Sequence, residues 1–229
     1  MPILAILVVL MLLAVVFGPQ WWIGHVLRQH GGERPDFPGT GGELARHLLD
    51  EAGLFAVRVE PTLHGDHYDP DAQAVRLRPE HHDGRSVAAV AVAAHEAAHA
   101  VQHARGEPGF ALRSRLARHV VWIDRLATSI MVLAPVVFVL VKVPLLFGLQ
   151  IVAGFLLLAM DIVVHLVTLP VELDASFGKA LPALKRGRYL APADLPAARS
   201  VLRAAAWTYV AGALATLLNL ARLFRAFRF

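Results

Sequence analysis

Five consecutive residues give this chain of 229 residues its clearest indication of chemistry. The run from His95 to His99 reads His-Glu-Ala-Ala-His and lies in a segment rich in alanine and valine. Positions i and i+4 share one face of a helix, so both histidines can direct a ring nitrogen at one metal ion. Glu96 occupies the position of the general base that activates water in hydrolytic zinc sites. The spacing predicts His95 and His99 as zinc ligands and Glu96 as the catalytic residue.

The segment around this motif is predicted to be a buried helix. Residues 86–102 contain neither glycine nor proline, and alanine and valine predominate. A helix that is apolar on all sides belongs in a protein core. The alternative is a core helix with two hydrogen-bonded histidines, although burying a glutamate and two histidines without a strong partner is costly. We therefore expect Zn²⁺ as the cofactor, with one ion per chain.

The third zinc ligand has to be a histidine or a carboxylate. The chain contains no cysteine, and a catalytic zinc usually binds three protein side chains. His103 continues the row of His99 along the helix, but a straight helix cannot easily wrap three turns around one ion. We expect His103 in a supporting position or at the surface. Glu172 is the stronger candidate, in a stretch where Pro170 predicts the start of a new helix.

The position of Glu172 alone leaves two roles open. It is either the third ligand or, together with Asp174, part of a helix start, where negative charge is favoured. Asp174 and Ser176 follow Glu172 at spacings from which either can hydrogen-bond a ligand and orient it.

A small sheet is predicted before the motif helix. Residues 40–52 have the pattern of a helix that ends at a glycine, and residues 56–60 and 75–78 then alternate apolar and polar side chains, as half-buried strands do. The turn-forming residues 64–70 between them favour an antiparallel arrangement. The edge of this sheet either pairs with an extended peptide or only covers the motif helix.

Polar residues elsewhere have less certain roles. A hydrolytic site needs a donor to stabilise the oxyanion, and the candidates are His67, Tyr68 and Tyr209. Asp161 and His165 lie four residues apart in an apolar segment, where ionisable residues are expensive. They either form a buried pair that locks neighbouring helices together or support Glu172 from behind.

Apolar composition predicts a membrane protein. Hydrophobic residues make up 56% of the chain, and long apolar runs account for the excess. Ile3 to Phe17 is predicted to form an uncleaved anchor, with a cleaved signal peptide as the alternative. Residues 123–169 are predicted to form a transmembrane hairpin split near Pro144, and residues 204–220 a fourth span. The expected fold class is a mainly α membrane protein with an α+β catalytic part and about four transmembrane helices.

The predicted spans divide the chain into five regions. The two polar regions between the spans fall on one side of the membrane. Basic residues near the span ends favour the cytoplasmic side of a bacterial plasma membrane for the motif. Their position suits anionic lipid headgroups better than nucleic acid, and the oligomeric state is not defined. The predicted regions are an anchor (1–24), a metallopeptidase region (25–118), a hairpin (119–171), a third-ligand helix and loop (172–203), and a C-terminal helix with a basic tail (204–229).

Several motifs in order give the chain a family resemblance. It resembles the YugP-type membrane zinc metallopeptidases, which are similar in layout to membrane gluzincins. This resemblance implies that a glutamate on a later helix completes a two-histidine, one-glutamate site, and Glu172 occupies the matching position. One departure is Ala98, where relatives usually have glycine, and its methyl group is expected to narrow the site wall. The matching stretches, besides the apolar anchor and the motif itself, are Asp66–Pro70, Ser86–Ala94, Pro170–Ser176 and Ala204–Val210.

Together these features predict an integral membrane zinc endopeptidase. Glu96 acts as general base and then as general acid, and the substrates are peptides or proteins, membrane-associated ones among them. The alternative is a membrane scaffold or chaperone-like protein with a structural or vestigial zinc site. Glu96 argues against that alternative, because a purely structural site has no use for it.

Overall fold

The computed structural model describes residues 2–208 and 210, apart from the side chains of residues 2–13, 15, 16, 120, 121, 124, 158, 161 and 162. Helices predominate, and one small sheet lies between them in the chain. The elements, in chain order, are α1 (Pro2–Gln29), α2 (Gly41–Glu51), β1 (Arg58–Pro61), β2 (His67–Asp69), β3 (Ala74–Leu77), α3 (Pro79–His82), α4 (Val87–Ala104), α5 (Pro108–Val141), α6 (Pro144–Leu173), a π-helical segment (Asp174–Ala180), α7 (Leu181–Arg186) and α8 (residues 195–208).

The chain forms two compact units. Among the described residues, one unit comprises residues 2–18 and Leu112–Thr168, and we call it the long-helix unit. The other comprises Pro19–Ala111 and Leu169–Thr208, and we call it the motif unit because it contains the His-Glu-Ala-Ala-His motif.

Helix α4 is the core of the motif unit. Ser86 caps its N-terminus by accepting a hydrogen bond from the backbone N–H of Ala89 at 3.0 Å, which satisfies one of the unpaired donors of the first turn. Every residue from Val87 to Ala100 is buried, and α2, β2, β3, α3, α7 and the π-helical segment all contact the helix. The prediction of a buried motif helix is confirmed.

Helix α2 packs against α4 through one apolar face. Thr40 and Glu43 form a reciprocal capping box at its start, and its buried face includes Leu48 and Leu49, each worth roughly 1.5–3 kcal/mol when fully removed from water. Gly41 allows the close approach of α3 and α4, because a Cβ there would lie 2.2 Å from the carbonyl oxygen of His81.

The sheet has three strands rather than two, and it is mixed. Strand β3 lies in the centre, parallel to β1 and antiparallel to β2. The prediction of an antiparallel pair is wrong because residues 67–69, assigned to a turn, form the additional strand β2. That strand reverses the chain direction once more, so β3 runs the same way as β1 and leaves β1 and β2 as the two edges.

The predicted membrane spans are the main correction to the fold class. Among the described residues, no helix combines the length and apolar character that crossing a bilayer requires. Charged residues interrupt the predicted hairpin, because Asp124, Lys142 and Asp161 all lie within residues 123–169, and ionisable groups are costly in a bilayer. The prediction of about four transmembrane helices is therefore wrong for this part of the chain, and residues 209 and 211–220 of the fourth predicted span lie outside it.

Helix α6 continues past the point where a new helix was expected. Pro170 lies inside α6, although a proline there removes one backbone hydrogen bond. Glu172 consequently lies in the last turn of a long helix, not in the first turn of a new one. The chain continues directly into the π-helical segment, a conformation that is rare and frequent at functional sites.

Candidate metal centre

Three buried side chains from two elements converge in the motif unit. His95 and His99 come from α4, and Glu172 comes from the end of α6. The Glu172 Oε2 atom lies 3.1 Å from His95 Nε2 and 3.2 Å from His99 Nε2. The three residues are only 4, 2 and 1% exposed, and their donor atoms all lie within 4.8 Å of one another. This is a group with the composition of a histidine–carboxylate metal centre.

Ser176 determines which nitrogen of His95 carries the proton. Its hydroxyl donates to the carbonyl oxygen of Leu202 at 3.0 Å and lies 3.1 Å from His95 Nδ1. A hydroxyl has one proton to donate, so towards His95 it accepts, and Nδ1–H is the donor. In a neutral ring the Nε2 atom then presents its lone pair to the group.

Gln102 does the same for His99. Its amide nitrogen donates to the Val171 carbonyl at 3.0 Å and to the Asp174 carboxylate at 2.7 Å. Both partners are pure acceptors, so the amide orientation follows, and Oε1 faces His99 Nδ1 at 2.9 Å. His99 Nδ1–H therefore donates, and Nε2 presents a lone pair beside that of His95.

Asp174 holds the side-chain amide of Gln102 in place by accepting its hydrogen bond. Burial alone would raise the pKa of its carboxyl group, but the hydrogen bonds from Lys179 and Gln102 outweigh that effect and hold the pKa below its usual value. Lys179 also pairs with Glu107 at 3.0 Å. The carboxylate is therefore ionised at neutral pH and remains an acceptor for Gln102.

The donor set fits a zinc ion. Two Nε2 lone pairs and a carboxylate oxygen directed at one another repel unless a cation or a proton lies among them. Tetrahedral ligands at about 2.0–2.2 Å from zinc lie about 3.3–3.6 Å apart, close to the distances of 3.1 and 3.2 Å observed here. Three protein ligands leave a fourth position open, as in catalytic sites.

Glu96 follows His95 on α4 and is buried, with 7% of its surface exposed. Within the part of the chain that the structure describes, no group donates a hydrogen bond to its carboxylate and no cation pairs with it. A carboxylate that has neither a hydrogen-bond donor nor a cation as partner, next to a candidate metal centre, is able to accept a proton from water.

The other predicted residues lie around this group. His103 Nδ1 lies 2.9 Å from the Tyr68 hydroxyl, and burial, with Asp69 nearby, raises the pKa of Tyr68 to about 12. His67 Nδ1 lies 2.8 Å from the Gly65 carbonyl oxygen. Phe110 links these residues to the metal group, because its ring contacts Tyr68, His99 and His103.

Some candidates cannot be placed. Tyr209 and the side chain of Asp161 lie outside the described residues. His165 belongs to the long-helix unit, where its carbonyl oxygen accepts a hydrogen bond from Thr168 at 2.9 Å.

Ala98 lines a cavity of about 380 Å³ together with Ala94 and Ala97. The described lining residues do not include His95, His99 or Glu172. The narrowing of the site wall by the Ala98 methyl group therefore stays a prediction.

The sequence did not point to Gln102. This residue fixes the tautomer of His99 only because its amide is held by Val171 and Asp174, which lie far along the chain. A signal was present, because Gln102 lies three residues after His99 and such residues are neighbours on a helix.

Comparisons with known proteins agree with this site. Residues 5–228 match the family described as "Putative neutral zinc metallopeptidase". The chain is 37% identical over 187 residues to the "Putative membrane protease YugP" of Bacillus subtilis, covering 80% of this chain and 78% of that protein. No solved structure matches the chain significantly.

Two histidines and one glutamate form a metal centre of the kind found in zinc peptidases. The chain belongs to the neutral zinc metallopeptidase family that it matches over nearly its whole length, and the predicted family is confirmed.

Proposed function

We propose that the protein is a zinc-dependent endopeptidase with His95, His99 and Glu172 as the metal ligands. The observation that carries this proposal is the convergence of two histidine Nε2 lone pairs and one Glu172 oxygen. The Glu96 carboxylate, which accepts no hydrogen bond from any described residue, follows His95 on the same helix. Zinc bound there would act as a Lewis acid that polarises the scissile carbonyl and an attacking water.

The residues of the chain supply the proton transfers. Glu96 takes a proton from the attacking water while the water oxygen bonds to the carbonyl carbon. When the C–N bond breaks, Glu96 returns that proton to the leaving amine. Ser176 and Gln102 keep both histidine rings in the tautomer that leaves Nε2 available.

Strand β2 is the edge that we propose for peptide binding. It is one of two edge strands, and its Tyr68 contacts His103 on the motif helix. An extended peptide can add to such an edge through main-chain hydrogen bonds. Tyr68 and His67 remain the candidates for the oxyanion donor, and the Tyr68 hydroxyl stays protonated at neutral pH because its pKa is raised to about 12.

We also propose a membrane as the place of action. The Bacillus subtilis relative is called a membrane protease, and large apolar side chains such as Leu140, Leu145 and Leu156 are exposed in the long-helix unit. Membrane-associated or partly unfolded proteins are then the substrates. The cytoplasmic orientation depended on the predicted spans and is not part of the proposal.

The Glu96→Gln variant tests the enzymatic proposal. Zinc content and cleavage of casein are measured on purified wild type and variant. We expect one zinc per chain in both, and cleavage reduced by roughly 10²–10⁴-fold in the variant, which is the usual contribution of a general base. Glu80→Gln is the matched control, because this exposed glutamate on α3 lies outside the proposed site, and it should cut like the wild type.

Two outcomes would contradict the proposal. If wild type holds zinc but cuts neither casein nor a library of unfolded peptides, the site is structural and the scaffold alternative is favoured. If Glu172→Gln holds zinc as tightly as wild type, Glu172 is not the third ligand.

A further inference from the structure

A groove in the motif unit lies apart from the metal group. It has a volume of about 710 Å³, within the range of small-molecule sites. Nine described residues line it: Leu173, Phe177, Leu181, Pro182, Lys185, Arg186, Arg199, Arg203 and Trp207.

Two helical rows form the walls. Each row has residues at four-residue spacing. The first row is Leu173, Phe177, Leu181 and Lys185, and the second is Arg199, Arg203 and Trp207. Residues four apart lie on one face of a helix, so each row presents one continuous side. Ser176 joins the rows, because its hydroxyl donates to the Leu202 carbonyl at 3.0 Å.

The groove has a strong excess of positive charge. Four of the nine lining residues are cations, and no acidic residue is found among them. Within the described residues, none of Lys185, Arg186, Arg199 and Arg203 forms an ion pair. Charge of this density that the protein does not neutralise itself is suited to an anionic ligand.

The charge and the apolar surface are separated along the groove. The loop of residues 187–194 connects the two rows, and the lining residues nearest to it along the chain are Lys185, Arg186 and Arg199. Leu173 and Trp207 are the farthest. One end therefore carries cations, and the other offers aliphatic and aromatic surface.

We propose that this groove binds an anionic phospholipid. The phosphate contacts the cations near the loop, as arginine and lysine side chains contact acidic headgroups, and an acyl chain lies against Leu173, Phe177 and Trp207. An acidic peptide would satisfy the cations but would leave the apolar end without a partner. This site is separate from the proposed peptidase activity and does not depend on it.

Trp207 provides a direct test. In full-length protein in neutral detergent, Trp21, Trp22 and Trp122 are replaced by phenylalanine, which leaves Trp207 as the fluorophore. Phosphatidylglycerol and phosphatidylcholine with the same brominated acyl chain are titrated, because bromine quenches tryptophan on contact. We expect phosphatidylglycerol to quench Trp207 fluorescence at a concentration at least about tenfold lower than phosphatidylcholine does, because each basic residue contributes to the attraction of an anionic lipid.

Charge variants in that background distinguish the groove from general electrostatics. Arg199→Gln/Arg203→Gln should raise the phosphatidylglycerol midpoint by roughly tenfold or more. Arg58→Gln/Arg85→Gln removes the same charge elsewhere in the motif unit and should stay within about twofold of the parent.

The proposal is overturned if the two lipids quench alike, or if the groove variant and the control variant shift the midpoint equally. It is also overturned if a glutamate-rich peptide displaces phosphatidylglycerol at a lower concentration than phosphatidylglycerol itself requires, because the occupant is then an acidic peptide.

Discussion

At the scale of single residues, tautomers decide whether the histidines are usable as ligands. Ser176 and Gln102 each accept a hydrogen bond from one Nδ1–H, and both donate to a backbone carbonyl, of Leu202 and Val171 respectively. Since each has an acceptor already in place, neither can rotate without losing a hydrogen bond. The lone pairs of the ligands are thereby preoriented before any ion binds.

Replacing either partner should weaken zinc binding without touching a ligand. Ser176→Ala and Gln102→Leu are each expected to lower zinc affinity about 10–100-fold, the usual effect of losing an outer hydrogen bond to a metal-binding histidine. Competition with a chromophoric chelator measures the affinity directly. Ser200→Ala on α8 is the matched control and should bind zinc like wild type, whereas unchanged affinity in both site variants would disprove control of the tautomers.

At the scale of elements, one partly buried carboxylate connects the sheet to helix α3. Asp66 follows β1 and accepts hydrogen bonds from the Arg78 backbone N–H at 2.7 Å and from His81 Nδ1 at 2.8 Å. Burial alone would raise the pKa of Asp66, but the interactions with His81 and Arg78 outweigh it, so the pKa lies below its usual value. The ionised form therefore stabilises the fold.

The pH dependence of Asp66→Asn follows from this direction. Because the folded pKa is depressed, the contribution of Asp66 is complete above the unfolded pKa of about 3.9. It is lost as pH falls through the lower folded pKa. At pH 7 the variant should lose about 1.5–3 kcal/mol of unfolding free energy, typical of hydrogen bonds to a charged group, as measured by urea denaturation.

The difference between wild type and Asp66→Asn should shrink as pH falls below the unfolded pKa of about 3.9 and on through the lower folded pKa of Asp66. Asp71→Asn, at an exposed turn, is the control and should change stability by at most about 0.5 kcal/mol. A difference that stays constant across the acid range would show that the charge of Asp66 is not the cause.

At the scale of the whole molecule, the ligands connect segments that are far apart in sequence. Glu172 is 77 residues from His95 and 73 from His99, yet all three belong to the motif unit. A bound ion would cross-link α4 to the end of α6, and it would stabilise only the folded state, which alone contains the site.

Zinc should therefore stabilise the motif unit specifically. Zinc at about 1,000 times its dissociation constant should add about 4 kcal/mol, seen as a rise in Tm that EDTA reverses. Hydrogen exchange should slow in residues 87–104 and 169–180 of the motif unit. His95→Ala/His99→Ala should show neither effect, and an equal response in that variant would place the zinc elsewhere.

Local chemistry was predictable from the sequence. The spacing of His95, Glu96 and His99 and the uninterrupted alanine-rich helix both depend on neighbours within a few residues. The nomination of Glu172 as third ligand needed a family resemblance, since its position alone left a capping role equally open. Composition misled the prediction of the membrane hairpin, because charged residues such as Lys142 and Asp161 interrupt its apolar sequence and are costly in a bilayer.

Only the tertiary structure decided how these parts meet. It placed Glu172 at the end of a continuous helix, joined Gln102 to the chain at residues 171 and 174, and made the sheet mixed through one additional strand. The contacts of Gln102 join segments 69 and 72 residues apart, and β1 pairs with β3 across an intervening strand, which no local pattern encodes. The sequence thus determined which side chains are chemically able to bind a metal, and long-range packing determined that their lone pairs converge.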